Sequence, residues 1–373
     1  MSKNHYIIPV FVPHIGCPHD CVFCNQNTIT GKKKITMVNE EELDPNRVNH
    51  IIKTYLYTIN KTKNKDAIVE ISFFGGTFTA IPMNKQEELL KVAFSYKTQG
   101  DIDYIRLSTR PDYIDNVRLG LLKKYSVDII ELGVQSLDRE VLKYSGRGHS
   151  DEDVYSASKL IKEFGFTLGI QIMLGLPGDT MKKDIETAVK VSKIHPEIAR
   201  IYPALVIKDT PMETMVKRGQ YEPYTLFYAI EVCKITYSIL VSKGINVVRV
   251  GLQPTEDINE NAELICGPFH PAFRELMESS LLNEMIFTYM NLGKINSDIL
   301  LKINPKNISK LYSNKKYYFN FYKEKHGAYD ITVVQDPSMD LDKVVIDTCK
   351  EEIELSYMKF LNNKSEEGKR MSL

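Results

Sequence analysis

The sequence predicts an α/β fold: a partial or full (β/α) barrel with a small C-terminal α+β appendage. Two observations carry this. Short runs of β-branched and apolar residues recur seven times: Ile7–Val12, Ile68–Phe74, Tyr104–Ser108, Ile129–Val134, Thr167–Leu174, Ile201–Ile207 and Ile245–Val250. Charged, amphipathic stretches separate them. Alternation of this kind builds right-handed βαβ units around a parallel sheet, and seven such units suit a barrel. A flat doubly wound sheet is the competing arrangement. No G-x-G-x-x-G follows the first strand, so the dinucleotide-binding form of that fold is not indicated.

Most of the runs are nearly continuous in apolar residues, as expected of strands covered on both faces. Among the helices, Asn84–Tyr96 carries Leu89, Leu90, Val92, Ala93 and Phe94. Asp151–Phe164 opens on an acidic turn and sets Val154, Ala157, Leu160 and Ile161 at helical spacing. Lys182–Lys193 and Leu226–Lys243 follow the same pattern.

Beyond Gly267-Pro268 the character changes. Ala272–Leu292 reads as a helix. From about residue 295 the chain is rich in Lys, Asn and Tyr, with strand-like runs Tyr317–Tyr322 and Tyr329–Val334. A last helix is expected over Asp342–Phe360, then a polar, frayed tail over Asn362–Leu373. The expected division is a barrel with its extension over residues 1–270 and an appendage over residues 271–373.

Lys+Arg and Asp+Glu number 48 each. Zero net charge argues against a protein that coats nucleic acid non-specifically, because phosphate binding draws on surplus cations. A local basic groove stays compatible, and Gly31-Lys32-Lys33-Lys34 is its nearest representative; the alternative is a solvated charged face. No apolar run approaches the ~20 residues of a membrane span, and no small-residue cleavage site follows the apolar N-terminal run. A cytoplasmic protein with no membrane partner is expected.

Three of the six cysteines, Cys17, Cys21 and Cys24, fall within eight residues, just after the first strand. In a β/α barrel the loops at the strand C-terminal ends carry chemistry. Three thiolates on one loop can wrap one face of an iron–sulfur cluster, and with no fourth cysteine nearby one metal stays open to an outside donor. A structural zinc is the alternative, with His14 or His19 as fourth ligand.

Cys17-x3-Cys21-x2-Cys24, with Phe23 before the last cysteine, resembles the signature of the radical S-adenosylmethionine (SAM) superfamily. The resemblance implies that Cys17, Cys21 and Cys24 bind a [4Fe–4S] cluster whose open iron is chelated by the amino and carboxyl groups of SAM. The second strand ends in Phe73-Phe74-Gly75-Gly76-Thr77-Phe78-Thr79, similar to the family's Gly-Gly motif, where glycine permits close backbone approach to a ligand ammonium. By the same resemblance the SAM contacts are Gly75, Gly76, Thr77, Ser108 and Thr109 (in Ser108-Thr109-Arg110-Pro111-Asp112), Gln135, Arg147 and Gln171. Arg147 would pair a carboxylate bidentately. Gly175-Leu176-Pro177-Gly178 resembles the adenine-side turn.

Within the superfamily the chain resembles the radical SAM portion of the Elongator catalytic subunit, through Ser108–Tyr113, Glu131–Ser136, Arg147-Gly148-His149, Ile201–Ile207 and Gly219-x-Tyr221-x-Pro223-Tyr224. A weaker resemblance, through Gly133-Val134-Gln135 and Gly175-Leu176-Pro177, is to oxygen-independent coproporphyrinogen III oxidase and its paralogues. The implied activity is reductive cleavage of SAM to a 5′-deoxyadenosyl radical that abstracts hydrogen from a substrate. The implied electron donor is a flavodoxin or ferredoxin. The implied substrate is a tRNA base, with a small metabolite or tetrapyrrole as alternative. Residues 290–373 show no glycine-rich acetyl-CoA loop, so acetyl transfer is not expected. A zinc-stabilised RNA-binding module is a reading of another class. It accounts for the cysteines but not for the Gly-Gly strand end, Gln135, Arg147 and Gln171.

Overall fold

The computed structural model describes residues 5–12, 19, 21–25, 43–62, 67–252, 263–293, 295, 298–326, 330–348 and 350–372. The first part of the chain folds as β1 (His5–Val12), α1 (Pro45–Thr62), β2 (Ile68–Gly75), α2 (Met83–Thr98), β3 (Tyr104–Thr109), α3 (Asn116–Lys124), β4 (Ile129–Gln135), α4 (Arg139–Tyr144), α5 (Asp151–Glu163), β5 (Thr167–Leu174), α6 (Met181–Ile194), β6 (Ile198–Pro203), β7 (Val206–Ile207), α7 (Pro211–Lys217), α8 (Leu226–Val241), β8 (Asn246–Val250) and β9 (Leu264–Cys266). Helix starts follow capping chemistry. The Ser150 side chain accepts from the Asp153 amide while Asp153 reaches back to the Ser150 amide, and Thr180, Thr210 and Thr225 cap α6, α7 and α8.

Seven strands form one parallel sheet in the order β1-β2-β3-β4-β5-β6-β8. Its edge strands β1 and β8 do not pair with each other, so the sheet is an open half-barrel. The expected sixth run, Ile201–Ile207, divides into β6 and β7; β7 leaves the sheet and pairs antiparallel with β9.

The outer face of the arc is apolar. Ile8, Val10, Ile71, Phe73, Ile105, Leu107, Ile130, Leu132, Leu168, Ile170 and Ile201 are buried there under the helices. The expectation of strands apolar on both faces is corrected on the inner face. Because side chains alternate along a strand, Glu70, Ser72, Arg106, Glu131, Gln171 and Arg200 all point into the concavity, and the register sets them at neighbouring levels.

The C-terminal part folds as α9 (Phe273–Leu292), β10 (Ile299–Ile303), α10 (Ile308–Leu311), α11 (Ser313–His326), β11 (Ile331–Gln335), β12 (Lys343–Asp347), β13 (Glu352–Ser356) and α12 (Tyr357–Met371). Its strands form a mixed sheet in the order β11-β10-β12-β13. Three expectations are corrected. Tyr317–Tyr322 is helical, because Tyr318, Phe319 and Tyr322 are buried at helical spacing, with Phe319 and Tyr322 against Phe287 of α9. Asp342–Phe360 is mostly the β12–β13 hairpin, whose alternating Val344, Ile346 and Leu355 are buried. The polar tail is the ordered helix α12, with Leu361, Lys364, Ser365 and Gly368 buried along one side. That side packs on α8. Fully buried Lys234 of α8 pairs with Glu231 at 2.8 Å and with Glu284 of α9 at 2.7 Å, and Lys364 of α12 also reaches Glu284. One contiguous apolar core includes Val232, Leu281 and Leu361.

Candidate active site

The site is built where the chain leaves the C-terminal ends of β2 to β6. Cys21 and Cys24 lie on one tight turn, closed by the Cys24 amide donating to the Cys21 carbonyl at 2.9 Å. Backbone bonds pin this turn on two sides. The Val22 amide donates to Ser145 O at 3.0 Å, at the end of α4, and the Met212 amide in α7 donates to Val22 O at 2.9 Å. Phe23 sits in an apolar nest of Val141, Met173, Leu176 and Ala204, which explains an aromatic residue immediately before Cys24. Cys21 is buried and Cys24 half-buried. Cys17 and the Gly31–Lys34 run lie outside the described residues.

Two guanidiniums face Cys21. Arg147 Nη1 donates to Cys21 Sγ at 3.4 Å, and Arg110 Nη1 lies at 4.0 Å from the same sulfur. Arg110 is held by Asp112, Nε to Oδ1 at 2.9 Å and Nη2 to Oδ2 at 3.0 Å, and by the Arg147 carbonyl at 2.6 Å. Arg147 Nη2 donates to Gly133 O. His19 Nε2 lies 3.6 Å from Asp112 Oδ2, and its ring occupies the space a Cβ on Gly148 would need. His149 Nδ1 donates to Ser150 O at 3.1 Å, while among the described residues its Nε2 is buried without a hydrogen-bond partner. Burial, reinforced by the Arg147 charge, lowers the His149 imidazole to about 4.

Gln135 and Gln171 meet on the inner face, Gln171 Nε2 donating to Gln135 Oε1 at 3.2 Å. Gln135 has φ +68°, at a bulge in the β4–β5 pairing. Gly133 makes the approach possible: a Cβ there would lie 2.9 Å from Arg147 Nη2 and 3.0 Å from Gln135 Nε2.

The Gly75-Gly76 strand end closes onto β1 through the Gly76 amide, which donates to Val12 O at 3.0 Å. Thr77 is buried at the start of a short 3₁₀ turn over Phe78–Ala80. Ser108 is half-buried on the inner face. Thr109 points the other way, its hydroxyl paired with that of Thr79. The structure therefore brings Cys21, Arg147, Gln135 and Gln171 together through Gly133, and engages the Thr109 side chain elsewhere.

Residues not selected from the sequence complete the floor of the concavity. Arg106 pairs with Glu70 at 2.8 Å and with Glu131 at 3.3 Å, and Arg200 pairs with Glu131 at 2.7 Å. Arg200 also reaches the Tyr202 hydroxyl at 3.4 Å and covers the Phe74 ring. Burial works against the Arg200 charge, yet Glu131 and Tyr202 raise its pKa above the ordinary value. The available signal was one charge inside each of four otherwise largely apolar strands. Behind the Gly175–Gly178 turn, the Tyr224 hydroxyl bonds Asp184 at 2.9 Å and the Tyr221 hydroxyl donates to Gly175 O at 2.6 Å. Burial pushes the Asp184 carboxyl well above its ordinary range and Asp179 up to about 6.

A family model described as the radical SAM superfamily matches residues 11–191, and one described as the radical SAM C-terminal domain follows over residues 196–283. The chain belongs to the radical SAM superfamily. It is an enzyme, and the cofactors of its superfamily are a [4Fe–4S] cluster and SAM. The chain is 27% identical over 263 residues to a tRNA uridine(34) acetyltransferase of Methanocaldococcus infernus, covering 63% of this chain and 49% of that protein. It is 25% identical over 239 residues to the heme chaperone HemW of Bacillus subtilis, covering 63% of this chain and 60% of that protein. The chain thus spans about half the length of the first of these relatives. Among solved structures, the archaeal Methanocaldococcus infernus Elp3 with an N-terminal deletion superposes with TM-score 0.56 at 22% identity, over 79% of this chain and 65% of that one. That likeness supports the half-barrel fold. Among the described residues, no helix is long and apolar enough to cross a membrane.

The residues at the mouth fit the superfamily's cluster. Two cysteine side chains share one turn, the buried one faces two guanidiniums, and a thiolate-ligated cluster is an anion that such a setting accommodates.

Proposed function

We propose that this radical SAM enzyme binds its cluster through Cys17, Cys21 and Cys24, cleaves SAM reductively, and acts on a base of tRNA. The observation that carries the reading is the convergence of the Cys21 thiol, Arg147, Gln135 and Gln171 at one end of the half-barrel. Held by Cys17, Cys21 and Cys24, the cluster would supply the electron for reductive cleavage of SAM, and SAM the hydrogen-abstracting chemistry.

The chain's own residues bind and orient. Gly75 and Gly76 offer backbone at the C-terminal end of β2, where a ligand ammonium can be met by carbonyls. Gln135 and Gln171 present amides to hydroxyls, and Ser108 adds a hydroxyl on the same face. Thr77 and Thr109 act through the backbone shape of the β2 and β3 ends. The polar floor of Glu70, Arg106, Glu131 and Arg200 closes the concavity below and leaves the mouth for the substrate, whose C–H bond must be held close to the radical. The electron comes from a flavodoxin- or ferredoxin-class donor.

The tRNA assignment is supported by the similarity to a tRNA uridine(34) acetyltransferase; the similarity to HemW supports the second reading, a tetrapyrrole or other small molecule. Nucleoside analysis of tRNA from a strain lacking the gene separates them. Loss of one modified nucleoside is expected. An unchanged profile would assign the substrate to the small-molecule class.

A further inference from the structure

Among the described residues, Arg147 is a buried cation without a carboxylate partner. It is 7% exposed, and among the described residues no acidic side chain pairs with it, whereas Arg106, Arg110 and Arg200 each have one. Its Nε is buried with no hydrogen-bond partner among the described residues. An uncompensated buried charge is costly, so this position calls for an anion. The nearest group able to become one is the Cys21 sulfur, 3.4 Å from Nη1 and itself 4% exposed. The other terminal nitrogen is turned away to Gly133 O. Arg110, 2% exposed, backs the same sulfur at 4.0 Å while its own charge is answered by Asp112.

Resting on the proposed function, we propose that Arg147, backed by Arg110, is a positioning residue for the cluster as well as for SAM: its guanidinium hydrogen-bonds the Cys21 thiolate and makes the cluster easier to reduce. The physical basis is general. Reduction adds one negative charge to the cluster, and a fixed cation with an N–H···S bond stabilises the more negative state. Cluster potentials follow net charge, hydrogen bonds to sulfur and solvent exposure, and this low-exposure site weakens solvent screening. The electron itself is supplied from outside by the donor protein or a chemical reductant, and no other bond changes.

The test uses the full chain, reconstituted anaerobically and titrated without SAM, with the cluster followed by electron paramagnetic resonance at controlled potentials. Arg147→Gln should lower the equilibrium constant for reduction at least tenfold, a downward shift of about 59 mV for a one-electron couple. Arg147→Lys, which keeps the charge, should recover part of it. Arg139→Gln, an exposed arginine paired with Asp151, should leave the potential in place. If Arg147→Gln takes up no iron, Arg110→Gln is read in its place and should shift in the same direction by less. Unchanged potentials in the cluster-loaded variants overturn the inference and leave Arg147 to SAM alone. Loss of iron from both variants, with circular dichroism still that of the folded protein, overturns it as well by assigning the guanidiniums to assembly. A wild-type chain that holds no iron ends the proposed function itself, a distinguishable result.

Discussion

Gln171 on β5 donates its amide to Gln135 on β4 at 3.2 Å, and Gln135 holds φ +68° to receive it. A positive φ at a residue with a side chain costs about 1–2 kcal/mol, so the strand bulge pays to aim this amide into the concavity. Gln171→Ala and Gln135→Ala should each weaken SAM binding about tenfold, the loss of about 1.4 kcal/mol, with iron content unchanged. Calorimetric titration of the cluster-loaded protein with SAM checks this; equal affinities would remove the glutamines from the SAM site.

Gly133 stands between the two halves of the site. A Cβ there meets Arg147 Nη2 at 2.9 Å and Gln135 Nε2 at 3.0 Å, and overpacking of this order costs about 1–3 kcal/mol. Gly133→Ala should therefore weaken SAM binding more than it lowers the thermal midpoint. A melt and a SAM titration on the same preparation separate the two.

Removal of Cys21 should abolish the chemistry. Anaerobic wild-type protein should hold about four irons, and after dithionite reduction it should release 5′-deoxyadenosine from SAM. Cys21→Ala should release none. Stoichiometric zinc without iron in anaerobically purified protein would sink the cluster assignment.

The charged floor should respond asymmetrically. Glu131 answers both Arg106 and Arg200, and removing one partner from a buried ionic group costs about 3–5 kcal/mol. Glu131→Gln should lower the urea midpoint accordingly without changing the slope. A loss below about 1 kcal/mol would mean that water enters the concavity and screens the pair.

Two groups give opposite acid profiles. His149 falls from 6.5 in the ordinary case to about 4, so between those values the unfolded chain takes the proton and the folded protein does not. Its contribution to stability is intact above about 6.5 and is lost as pH falls towards 4. Asp179 rises from 3.8 to about 6, so its contribution is present below 3.8 and is lost as pH rises through about 6. His149→Gln should flatten the acid limb of the stability curve, and Asp179→Asn should steepen the rise from pH 4 to 6. Urea titrations from pH 4 to 7 measure both difference curves; slopes of the same sign in the two variants would contradict the assignment.

The sequence by itself determined the strand–helix alternation, the position of the cysteine turn after the first strand and the residues at the strand ends. These are legible because each depends on local information: residue type, spacing and the period of apolar positions. Thr167–Leu174 was read with its exact bounds, and the helices Asn84–Tyr96 and Lys182–Lys193 within two residues at each end. Tertiary structure decided the rest. Tyr317–Tyr322 carries β-favouring residues, yet it is helical because two of its aromatics, Phe319 and Tyr322, pack on Phe287 of α9. The tail is polar, yet α12 is ordered because Lys364 finds Glu284 and Gly368 fits against α8. The charges of Glu70, Arg106, Glu131 and Arg200 lie on four different strands, and only the register of the sheet makes them partners. Cys21 and Arg147 are likewise far apart in the chain, and their meeting depends on the bulge at Gln135 and the missing side chain at Gly133. Local pattern names the elements; contacts between distant residues form only when packing pays their ordering entropy, which no single segment reveals.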